Sequence, residues 1–419
     1  MLDRRRFTQS LVVGMSLPVL SAAPWRLASA APAGRTALYV AVGPDLTLYD
    51  TGGDGTAAVA RGTVTVPAPI QYVWKHPSKP FVFVASSNRF SSTTNDKHHV
   101  TTFRQDPATG ALTASGEPAS LKARPINITV DATGRFLLIA YNDPSHLGVH
   151  AIAENGAVGA EIVQDGRVDA GIYAHQVRVL PSNRAAVVIA RGNDPASGKP
   201  EDPGAIKLFT LTEGRLTAAQ TVAPGSGYGF GPRHVDFHPS QPWMYAAIER
   251  QNTLQMYRID NDRLSDAPVF TKTTLADPAS TLPSQAAGAI HLHPGGGFLY
   301  LSNRADRRVD VDGQKVFAGG ENSIAVFALD PATGEPTLVQ SAPTRSFHVR
   351  TFTVDPAGKT LVAASVAPMA VKDGGSVTNV PATLSMFRIG DDGKLTLAAT
   401  HAVDTAKGPM FWCGFLPLG

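Results

Sequence analysis

A turn recurs seven times along the chain, and its spacing restricts the fold more than any other feature. The turns lie 49 to 62 residues apart, at His76-Pro77, Asp131, Leu180-Pro181, His238-Pro239, His293-Pro294, Asp355-Pro356 and Leu416-Pro417. Each joins two apolar strands, which a polar loop and a third strand follow, as in "VDFHPSQPWMYAAIERQNTLQMYRID". Repeats of this length with about four strands each are typical of β-propellers. The sequence therefore predicts an all-β fold, a seven-bladed β-propeller with four-stranded antiparallel blades.

The two ends of the chain complement each other. The seventh unit stops after its first strand, "PMFWCGF", whereas two unassigned strands, "ALYVAVG" and "LTLYDTG", lie near residues 37 to 53. We predict that these N- and C-terminal strands share the last blade, because such closure removes exposed sheet edges. Residues 31–419 then form one propeller domain. A β-sandwich array is the competing fold, but it does not require this split.

The pattern of the first thirty residues predicts an export signal. They contain Arg4-Arg5-x-Phe7, then an apolar run, and they end in small residues at Ala28-Ser29-Ala30. The Arg4-Arg5-x-Phe7 motif resembles that of a twin-arginine export signal. Cleavage between Ala30 and Ala31 lowers the formal charge from +3 to about zero, which gives no electrostatic basis for binding nucleic acid or a membrane. We predict a periplasmic protein whose precursor has the twin-arginine export machinery as its partner.

The segment "GPRHVDFHPSQPWMYAAIER" carries its reactive side chains at both ends and a turn between them. The start of the first strand and the end of the second lie at one edge of a hairpin, which in a propeller is one face, and the first strands line the channel. Repeating this placement in every unit predicts a shared mouth. Its polar residues are Asn88, Arg89, Asn142, Asp143, His175, Arg191, Arg233, His234, Glu249, Arg250, His291, Asn303, Arg304, His348 and Arg350.

A carboxylate and an imidazole among guanidinium groups are suited to acid–base chemistry on an oxyanion. Arg89, Arg250 and Arg350 fit equally well as solvated charges on the rim. In contrast, the turn residues His76, His238 and His293 are predicted to be structural.

Metal and cysteine chemistry have little support in the sequence. It contains no HExxH motif and no Asp-rich loop with calcium spacing, so we expect neither metal nor cofactor. Asn88, Asn142, Asn303 and Glu249 leave Ca²⁺ binding open as an alternative. The single cysteine, Cys413, excludes an internal disulfide, and its apolar surroundings predict a buried structural thiol.

The motifs "GPRHVDFHP", "AAIERQNTLQMYRID", "HLHPGGGFLYLSNR", "VDPAGKTLVAAS", "VFALDPATG" and "GPMFW" resemble the seven-bladed lactonase propellers. That family includes propeller-type 6-phosphogluconolactonases and fungal carboxy-muconate cyclizing enzymes. The resemblance covers essentially all of the mature chain. It implies lactone chemistry with a catalytic cluster of His175, Arg233, Glu249 and Arg304. His234, Arg191, His291, Asn303 and His348 are the expected substrate-binding residues.

The chain departs from the family pattern at two positions and in two loops. Tyr173 stands where a histidine is frequent, and Arg191 stands where an aspartate is frequent. The long loops 304–323 and 365–383 leave or enter the predicted mouth, where they could cap it.

The resemblance implies hydrolysis in which Glu249 or His175 is the base, and Arg233 and Arg304 are suited to bind an oxyanion or a substrate carboxylate. Export favours an unphosphorylated aldonolactone such as glucono-1,5-lactone as the small-molecule substrate. A 6-phosphogluconolactonase, a muconate-type cycloisomerase and a non-enzymatic scaffold that binds protein or glycan are the alternatives.

Overall fold

The computed structural model describes residues 35–89, 96–279, 282 and 284–418. The predicted export signal, residues 1–30, lies outside the described residues. Within them, the regular structure consists of 34 strands and a short 3₁₀ turn at Pro224–Gly227. No helix in this part of the chain has the length and apolar character needed to cross a membrane.

The strands are numbered in chain order. The first three are β1 (Thr36–Val42), β2 (Asp45–Asp50) and β3 (Val59–Thr65). Blade 1 contains β4 (Ile70–Lys75), β5 (Phe81–Ser87), β6 (His98–Gln105), β7 (Leu112–Ala114) and β8 (Ala119–Ser120). Blade 2 contains β9 (Pro125–Val130), β10 (Phe136–Asn142), β11 (Ser145–Ile152) and β12 (Val158–Glu161). Blade 3 contains β13 (Ala174–Val179), β14 (Ala185–Ala190), β15 (Ala205–Thr212) and β16 (Arg215–Val222).

Blades 4 to 6 follow the same plan with additions. Blade 4 contains β17 (Pro232–Phe237), β18 (Trp243–Ile248), β19 (Thr253–Asp260), β20 (Arg263–Leu264) and β21 (Phe270–Thr273). Blade 5 contains β22 (Ala286–Leu292), β23 (Phe298–Arg304), β26 (Ser323–Leu329) and β27 (Pro336–Pro343), with a separate hairpin of β24 (Arg308–Val311) and β25 (Gln314–Phe317). Blade 6 contains β28 (Val349–Val354), β29 (Thr360–Ser365), β32 (Thr383–Ile389) and β33 (Leu395–Ala402), with a hairpin of β30 (Met369–Asp373) and β31 (Ser376–Val380).

The last strand, β34 (Met410–Pro417), closes the ring. It pairs antiparallel with β1, from Thr36 opposite Pro417 to Val42 opposite Met410, and the sheet order is β3-β2-β1-β34. The first strands of neighbouring blades contact one another all the way around, in the order β4, β9, β13, β17, β22, β28 and β34. The predicted seven-bladed propeller and its shared last blade are confirmed.

Apolar packing between blades holds the ring together. Seven buried clusters lie in the described residues, and each joins two adjacent blades. At the closure, Tyr39 and Trp412 of the last blade pack with Val73 and Val84 of blade 1. Full burial of one such side chain contributes about 1.5–3 kcal/mol. Because second strands are covered on both faces, they read as unbroken apolar runs such as "AAVVIA" in β14.

The turn histidines are structural, as predicted. In His238, Nδ1 accepts hydrogen bonds from the backbone N–H groups of Ser240 and Gln241, and Nε2 lies 3.0 Å from the carbonyl oxygen of Gly296 in the next blade. His76 and His293 make the same type of contact with Gly134 and Gly358. Gly296 has φ +76° and an added Cβ would lie 2.8 Å from the His238 ring, so the contact requires glycine there.

Replacement of His238 by alanine is therefore expected to lower the free energy of unfolding by about 1–3 kcal/mol, because two turn N–H groups and the Gly296 carbonyl oxygen lose their partner, a buried imidazole. Ser240→Ala is the matched control, since it leaves the backbone bond of the same turn in place. Denaturant unfolding of both variants checks this. Equal stability of the two would contradict the structural role.

Candidate active site

The first strand of every blade contains one extra residue near the same end. Opposite the second strand, the register shifts by one residue in all seven pairings, which is the pattern of a β-bulge. In blade 4, Pro232 lies opposite Ile248 and His234 opposite Ala247, which leaves Arg233 unpaired. In blade 5, Gly288 and Ala289 share one position, and an added Cβ on Gly288 would lie 2.3 Å from Ser302 Oγ.

Seven of these extra residues line one central cavity of about 360 Å³, and we call them the bulge ring. Its members are Gln71, Ile126, His175, Arg233, Ala289, Arg350 and Phe411. Bulges redirect side chains next to active sites. The volume falls within the 300–1,000 Å³ range of small-molecule sites. The polar ring members therefore face a space that is suited to a small ligand.

His175 is held neutral in this cavity. Burial and the adjacent Arg233 lower its pKa well below the ordinary value of 6.5. Its ring lies 5.0 Å from that of His234, and the pKa of His234 is also lowered well below 6.5, by burial and then by Arg233. The Nδ1 atom of His175 is buried and has no hydrogen-bond partner among the described residues. A neutral imidazole has one nitrogen with a free lone pair, which can accept a proton.

Behind the ring, Glu249 joins three guanidinium groups. Its carboxylate lies 2.7 Å from Arg233 Nη1, 2.8 Å from Arg304 Nη2 and 3.1 Å from Arg191 Nε. Burial alone would raise the pKa of Glu249, but Arg233, Arg304 and Arg191 outweigh burial and hold this pKa well below 4.5. Glu249 is thus the shared counter-ion of the cluster and a poor proton acceptor.

Further contacts fix the outer members of the cluster. Arg191 also donates to Asp194 at 2.6 Å, and its guanidinium lies 5.9 Å from the ring centre of Tyr173. The two departures from the family pattern, Tyr173 and Arg191, are therefore in contact. Arg304 Nη1 lies 2.9 Å from His348 Nε2, and burial with the adjacent Arg304 lowers the pKa of His348 to about 3.

The structure brings most of the predicted site residues to two layers. His175, Arg233, His234 and His291 line the cavity, and His291 packs 4.9 Å from Phe352 at a deeper level. The second layer consists of Glu249, Arg304, Arg191 and His348.

Asn303 belongs to neither layer. It donates to the carbonyl oxygen of Thr274 at 2.6 Å and to Ser323 Oγ at 3.3 Å, so its amide supports the blade. Asn88 Oδ1 likewise accepts from the backbone of Lys97 at 2.7 Å. The described residues contain no group of three or more His, Cys, Asp or Glu side chains that could hold a metal ion.

Sequence reasoning missed Gln71 and Phe411 and left Arg350 undecided. Yet the sequence contains a signal for them, because six of the seven ring members lie five residues before the recurring turn, and Gly288 takes that place in blade 5. Counting back from each turn would have found the ring. Cys413 lies deeper in the cavity wall, and burial raises its pKa to about 12, as expected for a structural thiol.

The two long loops form the hairpins β24–β25 and β30–β31, and these contact each other. Both follow second strands, which end at Arg304 and Ser365 on the face that carries the bulge ring. Phe317 packs 4.6 Å from Phe347, just before His348. The hairpins therefore stand beside the polar cluster, on one side of the mouth.

Comparison with known proteins agrees with this architecture. The profile of the family described as "Lactonase, 7-bladed beta-propeller" matches residues 46–371. The chain belongs to this family. It is accordingly a hydrolase that acts on lactones. A 6-phosphogluconolactonase of Pectobacterium carotovorum is 27% identical over 318 residues, which are 76% of this chain and 83% of the relative. A 6-phosphogluconolactonase of an Enterobacter species is 26% identical over 304 residues, which are 72% of this chain and 79% of the relative.

Solved structures share the fold at lower identity. The periplasmic gluconolactonase PpgL of Pseudomonas aeruginosa has a TM-score of 0.70 at 19% identity, and the match covers 92% of this chain and 99% of the other. A protein from Lactobacillus plantarum has a TM-score of 0.68 at 18% identity, with coverage of 91% and 100%. At this identity, the likeness extends to the fold.

Replacement of Glu249 by glutamine is expected to lower the free energy of unfolding at neutral pH by about 3–5 kcal/mol, because three buried cations lose their shared anion. The folded-state pKa of Glu249 is depressed, so this stabilisation is complete above pH 4.5 and is lost as the pH falls below it. The difference in the free energy of unfolding between wild type and Glu249→Gln should therefore become smaller at acidic pH.

Asp194→Asn is the matched control, since Asp194 pairs with the same Arg191 but is 55% exposed. This substitution should lower the free energy of unfolding by less than about 1 kcal/mol. Urea unfolding of the three proteins between pH 3 and pH 8 measures both effects. Equal losses from the two substitutions would contradict the role of Glu249 as a buried counter-ion.

Proposed function

We propose that the mature chain hydrolyses a sugar lactone, with glucono-1,5-lactone as the expected substrate, in the periplasm and without a metal ion. The observation that carries this proposal is the position of a neutral His175 beside Arg233 in the bulge ring. Hydrolysis needs a proton acceptor for water and a cation for the tetrahedral oxyanion, and these two side chains supply both.

In the proposed reaction, the oxygen of a water molecule attacks the lactone carbonyl carbon while His175 takes the proton of that water. The negative charge that develops on the carbonyl oxygen is stabilised by Arg233. When the ring C–O bond breaks, the imidazolium returns the proton to the departing ring oxygen. The product is an open-chain hydroxy acid, in its carboxylate form at neutral pH.

Glu249 and Arg304 act through other residues in this scheme. Glu249 binds Arg233 and Arg304 on opposite oxygens and so fixes both guanidinium groups. Because its charge is already shared by three cations, Glu249 is a weaker candidate for the base than His175. The sequence left this choice open, and the contacts favour the imidazole.

The choice of substrate depends on the cellular compartment and on relatives. The predicted export signal favours a lactone without phosphate, and a structural neighbour is described as a periplasmic gluconolactonase. The curated relatives are described as 6-phosphogluconolactonases, which keeps the phosphorylated lactone as the second candidate.

Replacement of His175 by alanine is expected to lower kcat about 10²- to 10⁴-fold, because the proton acceptor is lost. Arg233→Ala should lower kcat about 10²- to 10³-fold, because the oxyanion loses its cation. Acid release from glucono-1,5-lactone, followed in a pH-stat and corrected for spontaneous hydrolysis, measures both. His401→Ala is the control, because His401 lies in β33 and contacts the carbonyl oxygen of Thr56. Wild-type turnover in the His175 variant rejects the mechanism.

The pH profile should lack an acid limb near 6.5. Because the pKa of His175 lies well below 6.5, the neutral base persists as the pH falls through that value. We expect kcat to stay constant between about pH 8 and about pH 6. With a solvent-exposed histidine as the base, kcat would already have fallen at about pH 6, because much of that histidine would be protonated. A fall centred near pH 6.5 that disappears in His175→Ala is the contrary result.

The mature protein should open glucono-1,5-lactone with a higher kcat/KM than 6-phosphogluconolactone, and EDTA should leave the rate unchanged. Preference for the phosphorylated lactone would transfer the assignment to the second candidate. Product analysis with a muconate-type substrate separates ring opening from ring closure. A protein that turns over no lactone would support the scaffold alternative.

A further inference from the structure

Arg350 occupies the bulge position of blade 6, equivalent to His175 in blade 3 and Arg233 in blade 4. Its guanidinium carbon lies 4.9 Å from the ring centre of Phe411, the bulge residue of the neighbouring last blade. Both residues line the central cavity. Arg350 is therefore stacked on an aromatic face at the level of the proposed reaction.

The charge of Arg350 has no counter-ion in the described part of the chain. Arg191, Arg233 and Arg304 all bind Glu249, whereas Arg350 makes no hydrogen bond or ion pair with the described residues. Burial, with Arg233 and Arg304 next, lowers its pKa well below 12.5. An unpaired cation that is half-buried is unfavourable for the fold. Stacking on Phe411 offsets part of this cost but leaves the N–H donors of the guanidinium unused.

We propose that Arg350 is the anion-binding residue of the cavity and holds the carboxylate of the ring-opened acid. This inference rests on the proposed function for the identity of the ligand. The planar fork of a guanidinium matches a carboxylate with two parallel hydrogen bonds. The stacked Phe411 fixes the plane of that fork. Arg233 remains at Glu249 and stabilises the transient oxyanion, so the two ring arginines have different tasks.

The residues that follow Arg350 and Phe411 along the cavity wall are neutral. Thr351, Phe352 and Thr353 follow Arg350, and Trp412 and Cys413 follow Phe411. Among these neighbours there is no acidic residue that could compete for the guanidinium. A ligand carboxylate at this place would meet Arg350 on one side and neutral side chains on the other. The site thus distinguishes an acid from a neutral lactone of the same size.

Equilibrium binding of gluconate, 6-phosphogluconate and neutral glucose to the mature protein tests this inference without turnover. Isothermal titration measures affinity, and Trp74 and Trp412 in the cavity wall give an independent fluorescence signal. We expect wild type to prefer gluconate over glucose. Arg350→Met should weaken gluconate and 6-phosphogluconate about 10- to 100-fold and leave glucose unchanged. Arg350→Lys should recover only part of the loss, because it keeps charge but not the fork.

Arg104→Met is the matched control, since Arg104 stacks on Phe81 at the same 4.9 Å but lies exposed in β6. It should bind all three ligands as wild type does. The melting temperature of Arg350→Met should equal or exceed that of wild type, because an unpaired, half-buried charge is replaced by an apolar side chain. A structural role predicts a lower melting temperature.

The outcomes separate this inference from the proposed function. Unchanged gluconate affinity in Arg350→Met, or a wild type without preference for gluconate, overturns the assignment of Arg350. A loss confined to 6-phosphogluconate places a phosphate at Arg350 and also overturns it. Arg350-dependent gluconate binding by a protein that hydrolyses no lactone supports Arg350 as the anion site and rejects the proposed function alone.

Discussion

The pairing of β1 with β34 is the constraint on which the structure depends. It joins the first and last strands of the described fold, and it completes the seventh blade of the ring from strands of both ends. Closure places the first strands of all seven blades around one channel, so two members of the bulge ring that are 340 positions apart, Gln71 and Phe411, face the same cavity. An open array of the same sheets would leave edges unpaired and the polar residues apart.

Within the closed ring, electrostatics divides the cations into two groups. Glu249 neutralises part of the charge of Arg191, Arg233 and Arg304 and fixes their orientation. Arg350 has no such partner among the described residues. Burial, and then the positive field of Arg233, keeps His175 and His234 neutral, since both disfavour a second proton on imidazole. One buried carboxylate therefore organises the guanidinium groups, while both imidazoles stay neutral.

The fold could be predicted from the sequence because it depends on periodic features. The turns recur at regular spacing, and the split of the last blade is visible in the unmatched terminal strands. The convergence of His175, Arg233, Glu249 and Arg304 also followed from hairpin geometry. The hydrogen-bond partners of individual side chains could not be predicted in this way. The sequence did not show that Asn303 has a structural role, because its partners lie far away in the chain: Thr274 follows the last strand of blade 4, and Ser323 begins β26 of blade 5.

The charge states were also beyond sequence reasoning. Whether Glu249 or His175 is the better base depends on how many guanidinium groups lie within hydrogen-bond distance of each, which is a property of the assembled ring. In contrast, the place of Arg350 is marked in the sequence by its distance from the turn and not by residue type, because arginine, glutamine, isoleucine and phenylalanine all occupy that position.

This indifference to residue type has a consequence for how such proteins diversify. The backbone creates each inward position independently in its own blade, and no ring member is needed to form the strand pairs on either side of it. Chemistry at the centre can therefore change one blade at a time while the surrounding sheets stay as they are. In a propeller of this kind, the seven bulge positions can be substituted separately, so a new ligand preference requires no change of fold.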